Sequence, residues 1–213
     1  MPQLTPDQLL STTRAVRKRL DFDRPVPREL LLECMELAVQ APTGSNRQGW
    51  QFLFLTDPNK KQIVANHYGR AYDAYRALPK PDYPAEDVRA RRRERLIESS
   101  DYLRDRMHEV PALLIPLIAG RLPETERTVV SAGLYGSIMP AVWSFMLAAR
   151  SRGLGTVWTS LHLKYEREVA EALGIPFEGF TQVALIPIAF HTGEDFKPAP
   201  RIPMDSIVHW DGW

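Results

Sequence analysis

Two arginines near the start of the chain, Arg14 and Arg17, stand three residues apart, and a third, Arg201, follows a Pro-Ala-Pro run close to its end. A guanidinium makes planar, paired contacts with phosphate oxygens, so converging arginines form an anchor for a phosphorylated ligand. If the first helix reaches Lys18, Arg14 and Arg17 share one of its faces. Spacing alone equally admits three solvated surface charges.

A second candidate is the segment APTGSNRQGWQF, residues 41–52. Thr43, Ser45 and Asn46 offer hydrogen-bonding side chains, Gly44 permits close backbone approach, and Trp50 adds a flat apolar wall. The segment is neither GxGxxG nor a P-loop. Taken alone it also reads as a plain turn between a helix and a strand.

Other chemistries lack their residues. The five histidines, His67, His108, His162, His191 and His209, are scattered without metal-ligand spacing. The single cysteine, Cys34, lies in an apolar helical pattern and reads as core. No nucleophile triad or paired carboxylate emerges, so no catalytic side chain is assigned. The run RARRRERL, residues 89–96, holds five arginines in eight residues. Acidic neighbours interleave with it, which favours a salt-bridged, solvated helix face over a nucleic-acid patch. Tyr68, Tyr72, Tyr75 and Tyr83 precede it and suit either helix packing or an aromatic face for a planar substrate.

These residues need elements to hold them. Thr5-Pro6-Asp7-Gln8 is a capping box that starts a helix, expected to run to about Lys18. Pro27 opens a second helix, stopped by Pro42 and Gly44. Gln51–Thr56 reads as a strand, and Asp57-Pro58 starts a helix towards Tyr75. Residues 78–84 carry three prolines and exclude regular helix. Residues 85–109 read as a charged helix, 110–120 and 180–190 as interior strands, and 164–174 as a short helix ended by Gly174. From Thr128 to Ala149 no residue is charged. Length would allow a membrane span, but serines, glycines and Pro140 favour a helix buried on most sides, with a subunit interface supplying the missing cover.

Composition sets the outer bounds. The 213 residues suit one domain, and 27 basic against 26 acidic side chains give no field that would draw nucleic acid or a membrane surface. One cysteine forms no internal disulfide, and the N-terminus carries no secretory signal, so a reduced, cytoplasmic setting is expected. Proline is the outlier, at 18 residues.

In combination the motifs resemble the nitroreductase family of flavoproteins. TRAVRK (residues 13–18) is similar to that family's RRSxR-like start, and APTGSNRQGW to its PSxxNxQPW-like loop. GLGTVWTS (153–160) and RIPMDSIVHWD (201–211) look like its later flavin segment and closing arm. The resemblance covers both ends of the chain and leaves about 62–109 without a motif. Thr13, Ala15 and Gly49 depart from the usual arginine, serine and proline.

The resemblance implies an α+β sandwich, a central mixed sheet wrapped by helices, as one FMN-binding domain over residues 1–213. It implies a mobile cover near 68–108 and a C-terminal arm over 191–213. Arg14, Arg17 and Arg201 would bind the FMN phosphate. Thr43, Gly44, Ser45 and Asn46 would line the ribityl chain, and Trp158, Thr159 and Ser160 would lie over the ring near N5. The implied reaction passes hydride from NADPH or NADH through flavin N5 to an electron-poor planar acceptor, a nitroaromatic or quinone, in an intertwined homodimer. Reductive dehalogenation, flavin fragmentation and flavin binding without turnover stand as alternatives. No metal, nucleic acid or membrane partner is implied.

Overall fold

A computed structural model describes residues 4–122 and 127–213. Helix α1 (Pro6–Thr12) has the expected capping box, with the Thr5 hydroxyl accepting from the Gln8 amide and the Gln8 side chain accepting from the Thr5 amide. It ends six residues before Lys18. The hydroxyls of Thr12 and Thr13 donate back to the Gln8 and Leu9 carbonyls, and Thr13 adopts extended backbone. A β-branched pair that bonds the preceding turn ends the helix here. Arg14 and Arg17 therefore do not share a helical face, contrary to the reading from their spacing.

Strand β1 (Leu20–Asp21) and helix α2 (Arg28–Ala38) follow, then a 3-10 turn at Gly44–Asn46, strand β2 (Trp50–Leu55) and helix α3 (Pro58–Ala77). The charged segment is shorter as a helix than expected. A 3-10 turn at Ala90–Arg92 leads into α4 (Arg93–Arg106). Strand β3 (Ala112–Ala119) precedes the long helix α5 (Arg127–Ser151), and Gly153, at φ 79°, releases the chain into β4 (Leu154–Thr156). Helix α6 (Glu166–Leu173) stops at Gly174, φ 71°. Strands β5 (Phe180–Gln182) and β6 (Ile186–His191) complete the sheet.

The sheet has six strands in the path β1-β6-β3-β2, with β4 on β6 and β5 on β3. Every strand pair is antiparallel; parallel pairing is limited to an isolated bridge between Ala15 and Thr156. The apolar run 180–190 is one track along β3 with a bulge in it. Leu117 pairs with Gln182 and Leu114 with Ile186, so Ile115 and Pro116 face the three residues Val183, Ala184 and Leu185.

Two cores lie on opposite faces of β3. Ala112, Leu114 and Ile118 pack with Leu31, Cys34, Ile138 and Phe145 from α2 and α5. Leu113, Ile115 and Leu117 pack with Val64, Tyr68, Leu103 and Val169 from α3, α4 and α6. Burial on both faces explains why this strand reads as a continuous apolar run.

Candidate active site

Segment 14–17 is held against β4. The Val16 amide donates to the Thr156 carbonyl at 2.9 Å, and Val16 is buried beneath Gly155. A methyl added at Gly155 would come within 2.9 Å of Val16 Cγ1, so glycine is what allows the two segments to touch. The same stretch is stitched to the arm. Arg14 Nη1 donates to the Lys197 carbonyl at 2.9 Å, the Thr192 amide donates to the Arg19 carbonyl at 2.9 Å, and Arg19 pairs with Asp195 at 2.7 Å.

This stitching holds Arg14 against the arm that carries Arg201 from the far end of the chain. Partial burial lowers the Arg14 guanidinium below its ordinary value, and the positive charges of Arg92 and Arg201 push it the same way. Among the described residues no carboxylate forms an ion pair with any of the three. Cations gathered without a counter-charge are a surface that an anion completes. Arg17 is set apart from this group, beside Tyr68 and Tyr72, and burial lowers it as well.

The later segment is positioned by the bulge. The amides of Thr159 and Leu185 each donate to the other's carbonyl, at 3.1 and 2.8 Å, and the Thr159 hydroxyl adds a bond to the Leu185 carbonyl at 2.9 Å. Trp158 is half-buried against the α2–α5 core, whereas Ser160 is exposed.

The loop at 43–46 rests on α5. The Gly44 amide donates to Ser137 Oγ at 3.0 Å, and Ser137 Oγ donates to the Gly133 carbonyl at 2.6 Å. Thr43 Oγ1 accepts from the Gln48 amide, and Asn46 Oδ1 accepts from Gln48 Nε2. Ser45, Asn46 and Gln48 hold φ of 54°, 52° and 48°. Three side-chain-bearing residues in the left-handed region within one loop cost about 1 kcal/mol or more each. Backbone outliers of this kind cluster at ligand clamps. No hydrogen bond among the described residues joins this loop to Arg14, Arg17 or Arg201.

Several side chains fall outside the site. Cys34 is buried, and desolvation pushes its thiol up to about 11, so it is a core residue. Among the described residues no group of acidic, histidine or cysteine side chains could hold a metal. Tyr68 and Tyr72 stack in the core, and Leu103 and Met107 are buried, so the outer parts of 68–108 are built into the body. Between them, Arg93 donates to the Pro81 carbonyl, and Arg89 is paired with Asp87 and lies over Tyr83. Arg91, Arg92 and Arg95 instead line a cleft of about 320 Å³ with Val88 and Pro200.

An α+β sandwich with a cationic cluster on one sheet end and a strained polar loop on the long helix is the frame of a flavoprotein oxidoreductase. The chain belongs to the nitroreductase family, whose sequence pattern matches residues 10–190. It is 29% identical over 192 residues to 4-nitrobenzoate reductase of a Nocardioides species, covering 80% of this chain and 74% of that one. It superposes on an iodotyrosine deiodinase crystallised with FMN and 3-iodo-L-tyrosine at TM-score 0.70 and 25% identity, covering 96% and 98%. The FMN- and NADPH-dependent nitroreductase NfnB, from a strain given as sphigopyxis sp. HMH, gives TM-score 0.72 at 21% identity, covering 99% and 100%.

Proposed function

We propose that this flavoprotein oxidoreductase binds FMN and uses a reduced nicotinamide to reduce an electron-poor planar acceptor, a nitroaromatic or quinone. One observation carries the reading: Arg14, tied to the C-terminal arm through the Lys197 carbonyl and within reach of the Arg201 charge, has no counter-charge among the described residues beside the β4 end from which Trp158, Thr159 and Ser160 emerge. FMN brings one phosphate and one flat ring, and those two surfaces fit these two groups. Bound there, FMN supplies hydride chemistry at N5. The protein's part is to anchor and orient. Arg14 and Arg201 fix the phosphate, with Arg17 behind them, and the Ser160 hydroxyl or a neighbouring amide donates to N5. This division of labour needs no acid–base pair in the protein.

The strained loop fits the same reading through a second copy. Thr43, Gly44, Ser45 and Asn46 sit on α5, away from the arginines, and complete the site of a partner in a homodimer. Helix α5 supports that assembly. Its stretch Thr128–Ser151 is long and apolar enough to cross a membrane, yet only a third of its most apolar window is buried within the chain. Val129, Met139 and Trp143 are exposed, Trp143 at 42%. A partner's matching helix would cover them.

Purified protein is expected to be yellow and to bleach under anaerobic mixing with NADPH or NADH, then regain colour on adding a nitroaromatic. A colourless protein that takes up no FMN on titration overturns the assignment. The likeness to the deiodinase favours a second reading, reductive dehalogenation, which halide release from a halogenated phenol would reveal.

A further inference from the structure

The arginine run divides into two groups. Arg89 and Arg93 are committed within their own segment, to Asp87, Tyr83 and the Pro81 carbonyl. Arg91, Arg92 and Arg95 face the cleft whose opposite wall is Pro200, the residue preceding Arg201. Arg92 closes the 3-10 turn at Ala90–Arg92, and its charge, like that of Arg201, acts on Arg14. Helix α1 brings no cation to this point, since Pro6–Thr12 holds no basic residue, and the Thr13 hydroxyl that follows it is bound to the Leu9 carbonyl. Like charges from three separate segments repel unless an anion sits among them. We infer that Arg92 is a further phosphate-binding residue, so that the FMN phosphate ties the arginine segment to the C-terminal arm through Arg92, Arg14 and Arg201. The phosphate would then be both anchor and latch: the 78–92 stretch docks on Pro200 when the charge between them is neutralised.

This inference rests on the proposed FMN site, and one titration separates the two. FMN and riboflavin share a ring and ribityl chain and differ in the phosphate. Apo-protein is titrated with each by fluorescence, in the wild type, Arg92→Ala and Arg92→Lys. Losing one charge-assisted contact weakens FMN about tenfold, with riboflavin affinity within twofold of wild type and FMN binding partly restored in Arg92→Lys. Unchanged FMN affinity in Arg92→Ala overturns the inference, as does an equal loss for both flavins, which would assign Arg92 to the fold alone. A wild type that binds neither flavin overturns the FMN site, and this inference with it.

Discussion

Thr159 is bound to Leu185 three times over, through both backbone amides and through its hydroxyl. The segment proposed to face the flavin therefore hangs from the sheet at its bulge and moves only if the sheet does. The Thr159→Val substitution keeps the shape and removes one bond. It should cost about 1 kcal/mol, lowering the midpoint of a thermal melt by about 2–4 °C. A larger fall in FMN affinity than in melting temperature would show that the hydroxyl orients the segment as well as holding it.

Gly155 lies under Val16 and Leu20, with room for hydrogen alone. Gly155→Ala drives a methyl to within 3.0 Å of both side chains, an overpacking worth about 1–3 kcal/mol. Because Val16 sits between Arg14 and Arg17, the displaced segment would carry the proposed phosphate anchor with it. Urea melts should show the lost stability, and flavin titration a weakened FMN complex.

The exposed Trp143 on α5 tests the dimer. Trp143→Glu places a charge where a partner helix is proposed to pack, and burying an unpaired carboxylate is costly. Light scattering should find wild type at twice the chain mass and the variant at or near one chain. A wild type that is monomeric at micromolar concentration refutes the assembly.

His162 gives the fold an acid-sensitive point. It is fully buried, neither ring nitrogen has a hydrogen-bond partner among the described residues, and burial holds its pKa at about 3 despite an upward pull from Gln182. An unfolded histidine takes a proton near pH 6.5. The unfolded chain thus binds the proton first, and stability present above about pH 6.5 drains away as pH falls towards 3. The slope reaches about 1.4 kcal/mol per pH unit. His162→Gln should flatten the difference between urea midpoints measured at pH 7 and pH 5.

Much of this architecture could be read from local chemistry. The capping box at Thr5, the proline starts at Pro27 and Pro58, and the glycine stop at Gly174 fix element ends through one or two residues, and those ends were legible. The end of α1 was not. Apolar spacing continued past Thr13, and only the back-bonding of two threonines ended the helix. The bulge at 183–185 was equally hidden, since Val183, Ala184 and Leu185 extend an unbroken apolar run whose pairing partner lies far away in sequence. The family motifs grouped Arg14, Arg17 and Arg201 on one phosphate. That Arg91, Arg92 and Arg95 share a cleft with Pro200 depends on the arm folding back towards the arginine run, which no local pattern encodes.

The bulge also limits how this protein can change length. Surface loops absorb insertions and deletions because nothing downstream counts residues. Here β6 is read in register by β3, β4 and β1, and Phe180–Gln182 is read by β3 one step out of phase with it. Removing a single residue between Val183 and Leu185 would erase the offset. Both strands could then keep their partners on β3, but the bulge would be gone and Thr159 would lose its seat on Leu185. The spare residue behaves as a spacer of fixed gauge, and mutations there should tolerate exchange of side chain far better than any change in number.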